Sequence, residues 1–121
     1  MALKDVIEML EYYREQRRET AEEISRLVLK SPGRALKNME DAFFAVALGD
    51  EANDCLNGIR ERVEDGWSED RVISEMTWLL ANELISSASP TGSSTSVTAN
   101  LMDRAKCAAT ARVLRLFQRS Q

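Results

Sequence analysis

The side chains in this sequence that could carry chemistry are carboxylates, because the 121-residue chain contains no histidine. Without an imidazole there is no Ser-His-Asp or Cys-His catalytic pair and no histidine metal ligand. Four carboxylates stand in two similarly spaced pairs, Glu19-x-x-Glu22 and Glu51-x-x-Asp54. Oxygen ligands of this kind suit Mg²⁺. The one enzymatic chemistry to weigh is therefore a magnesium-dependent hydrolysis.

The two pairs resemble the magnesium-binding carboxylates of the all-helical nucleoside triphosphate pyrophosphohydrolases. The resemblance covers these four residues only, and it implies a divalent cation and a nucleotide substrate. With 13 glutamates in the chain, chance placement gives about one E-x-x-E pair. All four carboxylates also lie off the predicted apolar faces of their helices, so we expect them to face solvent. Nucleotide hydrolysis is the least favoured alternative, and we predict a protein that is not an enzyme and uses no cofactor.

Apolar residues recur at spacings of three and four along the chain, whereas the alternation typical of strands does not persist. The pattern predicts an all-α fold, a single domain formed by a bundle of about five helices. The first helix is predicted from Leu3 to about Leu29 and ends at Ser31-Pro32-Gly33. One face of this helix forms a continuous seam with two polar members. The seam residues are Leu3, Val6, Leu10, Tyr13, Arg17, Thr20, Ile24 and Leu27.

This seam is the candidate oligomer interface. A helix of that length extends roughly 40 Å, whereas a compact domain of this size is roughly 35 Å across. We therefore expect the helix to overhang its domain, so that Leu3 and Val6 at one end and Ile24 and Leu27 at the other are covered by a second copy. Arg17 needs an acid from another helix or subunit, because burial of an unpaired guanidinium is costly. The sequence thus predicts a homodimer or higher homo-oligomer.

Three further helices are predicted over residues 34–48, 51–64 and 69–85. Gly49 suits the end of the first of these, which is the most hydrophobic and is expected to be central. Ser68 is predicted to cap the helix that follows Asp65-Gly66. Residues 86–100 are rich in Ser and Thr and carry no charge, which favours a flexible tether. A phosphorylation target or a partner-binding loop is the alternative for that segment.

A basic helix over residues 101–121 is predicted to close the chain. Its core face comprises Met102, Ala105, Ala109, Val113, Leu116 and Phe117. Net charge is −7 over residues 34–85 and +4 over residues 101–121, within a total of −4. Four arginines are spaced to share one face of this helix and form what we term the arginine stripe. Its members are Arg104, Arg112, Arg115 and Arg119.

The arginine stripe could bind nucleic-acid phosphates or an acidic protein surface. No aromatic residues alternate with it, so we favour protein contact. The sequence therefore predicts a small non-enzymatic helical protein, an inhibitor, adaptor or regulatory accessory protein, whose partners are another protein and itself. The alternative is a nucleic-acid-associated regulator that uses the arginine stripe.

Location and redox state follow from simpler features. Residues 1–15 are acidic, unlike a signal peptide, and the longest apolar run has seven residues, whereas a membrane span needs roughly 20. We expect a cytoplasmic protein without a membrane partner. Cys55 and Cys107 lie without metal-ligand spacing and are expected to be reduced packing residues.

Overall fold

A computed structural model describes residues 2–31, 33, 39–88 and 97–121 of the chain. The described residues form four helices: α1 (Leu3–Lys30), α2 (Met39–Glu64), α3 (Glu69–Ala88) and α4 (Val97–Gln118). No strand occurs in this part of the chain, so the all-α prediction is confirmed, with four helices instead of about five. None of the helices described combines the length and apolarity that crossing a bilayer requires.

The helix count differs because α2 continues through Gly49. Residues 39–48 of one predicted helix and residues 51–64 of the next therefore belong to a single helix. Residues 34–38 lie outside the described residues. Gly49 is buried, and a Cβ there would collide with the side chain of Arg17 on α1. Glycine at this point allows two helices to approach closely. The prediction of a helix end at Gly49 is therefore wrong.

Helix α1 is continuous, as predicted. At its C-terminus the backbone N–H of Ser31 donates to the carbonyl of Leu27 at 2.7 Å. At its N-terminus the backbone N–H of Leu3 donates to Glu69 Oε1 at 2.6 Å. This bond satisfies one of the donors that a helix start leaves free. It also fixes the start of α1 against the start of α3.

The connection between α2 and α3 forms as the sequence predicts. Gly66 has φ of 85°, a conformation that favours glycine. Ser68 Oγ accepts a hydrogen bond from the backbone N–H of Arg71 at 3.3 Å and so caps α3. Trp67 packs against the core beneath the guanidinium of Arg71, which lies 3.7 Å from the ring centroid.

Both helices that flank the predicted tether are longer than expected. Helix α3 continues to Ala88, and α4 already begins at Val97. The predicted boundaries of 86–100 are therefore wrong at both ends. Residues 89–96 lie outside the described residues, so the tether remains a prediction for that stretch.

Helices that are consecutive in the chain run antiparallel and pack around one core. Arg17 of α1 meets Asp50 of α2, and the start of α1 meets the start of α3. Helix α2 packs against each of the other helices. The largest fully buried side chains come from α1, α3 and α4. They are Val6, Leu10, Val72, Leu80, Val113 and Phe117.

The predicted core face of α4 is confirmed at five of its six positions. Ala105, Ala109, Val113, Leu116 and Phe117 are buried, whereas Met102 is 42% exposed. The prediction for Met102 is therefore wrong. Among the α4 side chains that the structure describes, the buried ones begin at Ala105, one turn later. Leu114, which the sequence analysis did not assign to the core, is also buried.

Candidate partner-binding site

The structure brings three of the four stripe arginines together in a cleft between α1 and α4. This arginine cleft has a volume of about 340 Å³. It is lined by Met9 and Tyr13 of α1 and by Arg112, Arg115, Leu116 and Arg119 of α4. Arg104 is exposed as well but does not line the cleft. Three of the four predicted stripe residues therefore line one cleft, and a partner-binding role for them remains a prediction.

Local helix geometry explains why these arginines meet. Residues 112, 115 and 119 are separated by three and four positions, which places their side chains on one face of a helix. The neighbouring Val113 and Phe117 are fully buried and fix the rotation of α4 about its axis. The guanidiniums are consequently held at the rim of the α1/α4 junction, where all three arginines are exposed.

The three guanidiniums have no acidic partner within the described residues. The salt bridges of that part of the chain involve only Arg17 and Arg18, which pair with Asp50, Glu15 and Glu22. Three positive charges therefore face one cleft without local neutralisation, on a chain whose net charge is −4. A guanidinium presents a planar fork of N–H donors that matches carboxylate or phosphate oxygens. The cleft is suited to binding anions.

Tyr13 contributes a largely buried ring and its hydroxyl to the same cleft. Its side chain is only 6% exposed, and its ring contacts that of Tyr12 at a centroid distance of 6.1 Å. Its hydroxyl forms no hydrogen bond to any of the described residues. The sequence pattern predicts Tyr13 to lie in the oligomer seam, since nothing local links it to α4. Only the packing of α1 on α4 reveals its place beside the arginines.

The first half of the oligomer seam is covered by its own chain. Leu3, Val6, Leu10 and Tyr13 are all buried in the core. The expectation that Leu3 and Val6 require a second copy for cover is therefore wrong. The physical reason is that the start of α1 packs within the bundle, where it contacts Glu69 of α3.

Arg17 is paired, as predicted, and the acid comes from a neighbouring helix of the same chain. Its Nε donates to Asp50 Oδ1 at 2.7 Å. Both side chains are partly exposed, so this ion pair contributes little to stability. Thr20, Ile24 and Leu27, the last members of the seam, are half-buried.

The distal end of the α1/α2 hairpin, defined here as residues 24–29 and 39–46, has the least covered apolar surface of α1. Val28 and Leu29 are 49% and 87% exposed. Phe43 and Phe44 on the α2 side are only half-buried. The most hydrophobic stretch of sequence, expected to be central, therefore lies partly open at one end of the molecule.

The carboxylate pairs do not converge within the described residues. Glu22 lines a groove with Arg17 and Asp50, whereas Glu51 and Asp54 line an adjoining acidic cleft that includes Asp50 but not Glu22. The acidic cleft is formed by Ala47, Asp50, Glu51, Asp54, Glu83, Lys106 and Thr110. No group of three or more metal-ligating side chains suited to a metal ion occurs in the part of the chain that is described.

Glu51 is half-buried, so the expectation that all four carboxylates face solvent is wrong for this residue. Burial raises the pKa of Glu51 to about 8, and the nearby carboxyl groups of Glu83 and Asp54 raise it further in the same direction. One turn along α2, burial also raises the pKa of the Cys55 thiol above its ordinary value. Cys55 and Cys107 are free thiols. A buried thiol held in its neutral form is suited to packing instead of nucleophilic chemistry.

Comparison of the chain with protein-family models, with curated proteins and with solved structures finds no match. The arginine cleft contains cations, a tyrosine and an apolar floor of Met9 and Leu116. These groups can hold an anion, and none of the lining residues is a carboxylate, serine or cysteine that would act as base or nucleophile.

Proposed function

We propose that this protein acts by binding an acidic surface of another protein through the arginine cleft, as an adaptor, inhibitor or regulatory accessory protein without enzymatic activity of its own. The observation that carries the proposal is the grouping of Arg112, Arg115 and Arg119 around one cleft with no salt bridge to a described carboxylate. Arginine and tyrosine are enriched among the residues that dominate protein interfaces.

The residues that line the cleft favour direct contact with a partner in addition to long-range electrostatic attraction. Met9 and Leu116 contribute apolar surface to the same cleft, so a partner side chain can bury its stem while its anionic end meets a guanidinium. Charge pairs that are partly shielded from water are stronger than exposed ones. The combination favours a defined docking position over diffuse electrostatic association.

Self-association at the distal hairpin end is the second part of the proposed function. The exposed Val28 and Leu29 adjoin the half-buried seam residues Ile24 and Leu27. A second copy placed there would remove this apolar surface from water. The interface we propose is therefore the distal half of the seam, since its first half is already covered.

A nucleic-acid-associated regulator is the alternative, and the exposure of Arg104 favours it because this residue extends the basic face beyond the cleft. The two functions differ in their dependence on salt. Neutralisation of several phosphates releases counterions and gives a steep fall in affinity as salt increases. Titration of generic duplex DNA at several salt concentrations measures that slope directly.

The proposed function is tested by affinity capture with the full chain followed by mass spectrometry. The double variant Arg112→Glu with Arg115→Glu should lose a partner that the wild type retains. The matched control, Lys4→Glu with Arg60→Glu, changes net charge equally at two exposed positions away from the cleft and should retain it. Circular dichroism establishes that both variants fold. Equal capture by the cleft variant and the control would contradict the proposal.

A further inference from the structure

We infer that the arginine cleft is a binding site for a phosphoryl group carried by a side chain of the partner protein. This inference rests on the proposed function and makes it more specific. It follows from the number of guanidiniums, from the unpartnered Tyr13 hydroxyl and from the charges that surround the cleft.

The number of donors exceeds what a carboxylate needs. A carboxylate carries one charge and is matched by a single bidentate guanidinium. Arg112, Arg115 and Arg119 together present three charges over two helical turns, about 10 Å along the axis. A phosphoryl group carries a charge of about −1.5 to −2 and three acceptor oxygens. It can therefore engage several of these guanidiniums at once.

Tyr13 supplies one further hydrogen-bond donor to the cleft. Its side chain lines the cleft and is only 6% exposed, yet its hydroxyl has no hydrogen-bond partner among the described residues. The hydroxyl is not among the buried unpaired polar atoms of the described residues, so it is open to the cleft and free to donate to a ligand. A phosphoryl oxygen in the cleft would accept a hydrogen bond from this hydroxyl while the arginines neutralise its charge.

The surroundings favour a protein side chain over a nucleic acid. A protein that binds a nucleic-acid strand combines a continuous basic groove with aromatic side chains on which the bases stack. On α4, Arg104 does not line the arginine cleft, and Lys106 lines the acidic cleft with Asp54 and Glu83. The cationic side chains of α4 are therefore divided between different surfaces. A single phosphorylated side chain needs only the local cleft.

The apolar floor fits the same occupant. Met9 and Leu116 line the cleft together with the three arginines. The carbon stem of a phosphorylated side chain can lie on these residues while its phosphoryl group reaches the rim. Free inorganic phosphate would have no such contact and should bind more weakly.

The test is calorimetric titration of the full chain with an otherwise uncharged peptide that carries one central phosphoserine or phosphotyrosine. The same peptide with Glu or Ser at that position, inorganic phosphate and a 5′-phosphorylated oligothymidine complete the series. We expect one of the two phosphopeptides to bind about tenfold or more tightly than the Glu peptide. The second pKa of its phosphoryl group, about 6 when free, should fall on binding, as phosphorus NMR would show.

Variants separate binding from folding. Arg115→Gln should weaken the phosphopeptide about tenfold, and Tyr13→Phe should weaken it several-fold while melting as the wild type does. The control Arg60→Gln alters an exposed arginine outside the cleft and should leave affinity unchanged. If Tyr13→Phe bound the phosphopeptide with full affinity, the tyrosine hydroxyl would not contribute to the site.

The outcomes also distinguish this inference from the proposed function. Equal affinity for the Glu peptide and the phosphopeptides would overturn the phosphoryl site and leave binding of an acidic protein intact. Inorganic phosphate or oligothymidine binding as tightly as the phosphopeptides would overturn the assignment to a protein side chain. Absence of binding by every peptide would overturn the site. The proposed function itself fails only if Arg112→Glu with Arg115→Glu captures the same partner as the control.

Discussion

The side chain of Arg17 occupies the space that a Cβ on Gly49 would need. This contact marks the crossing of α1 and α2, and the same arginine reaches Asp50, the next residue of α2, with its Nε. Glycine inside a helix costs about 1 kcal/mol relative to alanine. The close approach of the two helices therefore requires glycine at a position where helix propensity alone disfavours it.

Replacement of Gly49 by alanine should destabilise the protein. The added methyl group must displace the stem of Arg17 or separate α1 from α2, and overpacking of this kind costs about 1–3 kcal/mol. Part of the cost is offset by the better helix propensity of alanine. Urea denaturation followed by circular dichroism should show a lower midpoint with an unchanged slope.

Gly58→Ala is the matched control on the same helix. A Cβ there would lie 3.2 Å from Arg62 Nη1 and 3.5 Å from Met76 Sδ, which are the ends of flexible side chains that can move. We expect this variant to be neutral or more stable by up to about 1 kcal/mol. If Gly49→Ala were as stable as Gly58→Ala, the helix crossing would not require glycine.

Gly49 also shows what the sequence could not decide. The start of α1, the turn at Gly66 and the cap at Ser68 were predicted because their signals lie within a few residues of one another. A glycine within a helical pattern, by contrast, is compatible with a helix end or with a close crossing. The difference depends on Arg17, a residue of another helix.

The candidate site was likewise predictable only where its residues belong to one helix. The arginine stripe was predictable because its spacing belongs to one helix. That Met9 and Tyr13 complete the cleft depends on the packing of α1 against α4, which no local pattern specifies. The burial of Glu51 likewise depends on neighbours from α3 and α4.

The two faces of α4 should respond differently to mutation. Phe117 is fully buried, so Phe117→Ala should lower the free energy of unfolding by about 3–5 kcal/mol. Charge reversal of Arg112 and Arg115 should change it by less than about 1 kcal/mol, because both side chains are exposed. Thermal melts of the two variants make the comparison. An unchanged melting temperature for Phe117→Ala would contradict the packing of α4 described above.

Removal of the Arg17 ion pair should have a small effect on folding. The pair with Asp50 is partly exposed, so Arg17→Leu should change stability by no more than about 1 kcal/mol. Leucine would also extend the apolar surface of the seam towards Thr20. We expect an altered oligomeric state, which light scattering would detect, or an altered register, which a structure of the variant would show. If the variant folded and assembled as the wild type does, Arg17 would have no role in the oligomer interface.

The distal hairpin end should control self-association. We expect the wild type to be at least dimeric at micromolar concentration and Val28→Ser with Leu29→Ser to be monomeric, because the substitutions remove exposed apolar surface without opening the core. Val63→Ser is the control, since Val63 is 51% exposed and lies outside that end. Light scattering coupled to size exclusion measures the mass. A monomeric wild type would refute the proposed interface.

The acidic cleft makes stability depend on pH through Glu51. Its pKa is about 8 in the folded protein, against an ordinary value of 4.5, so between these values the folded chain keeps a proton that the unfolded chain releases. The free energy of unfolding should therefore fall as pH rises from about 4.5 to 8. Glu51→Gln cannot ionise and should be more stable than the wild type by about 1–2 kcal/mol at pH 9, allowing for solvent screening, and no different near pH 4. Glu61→Gln, exposed on the same helix, should show no such difference. Parallel pH dependence in wild type and Glu51→Gln would locate the titrating group elsewhere.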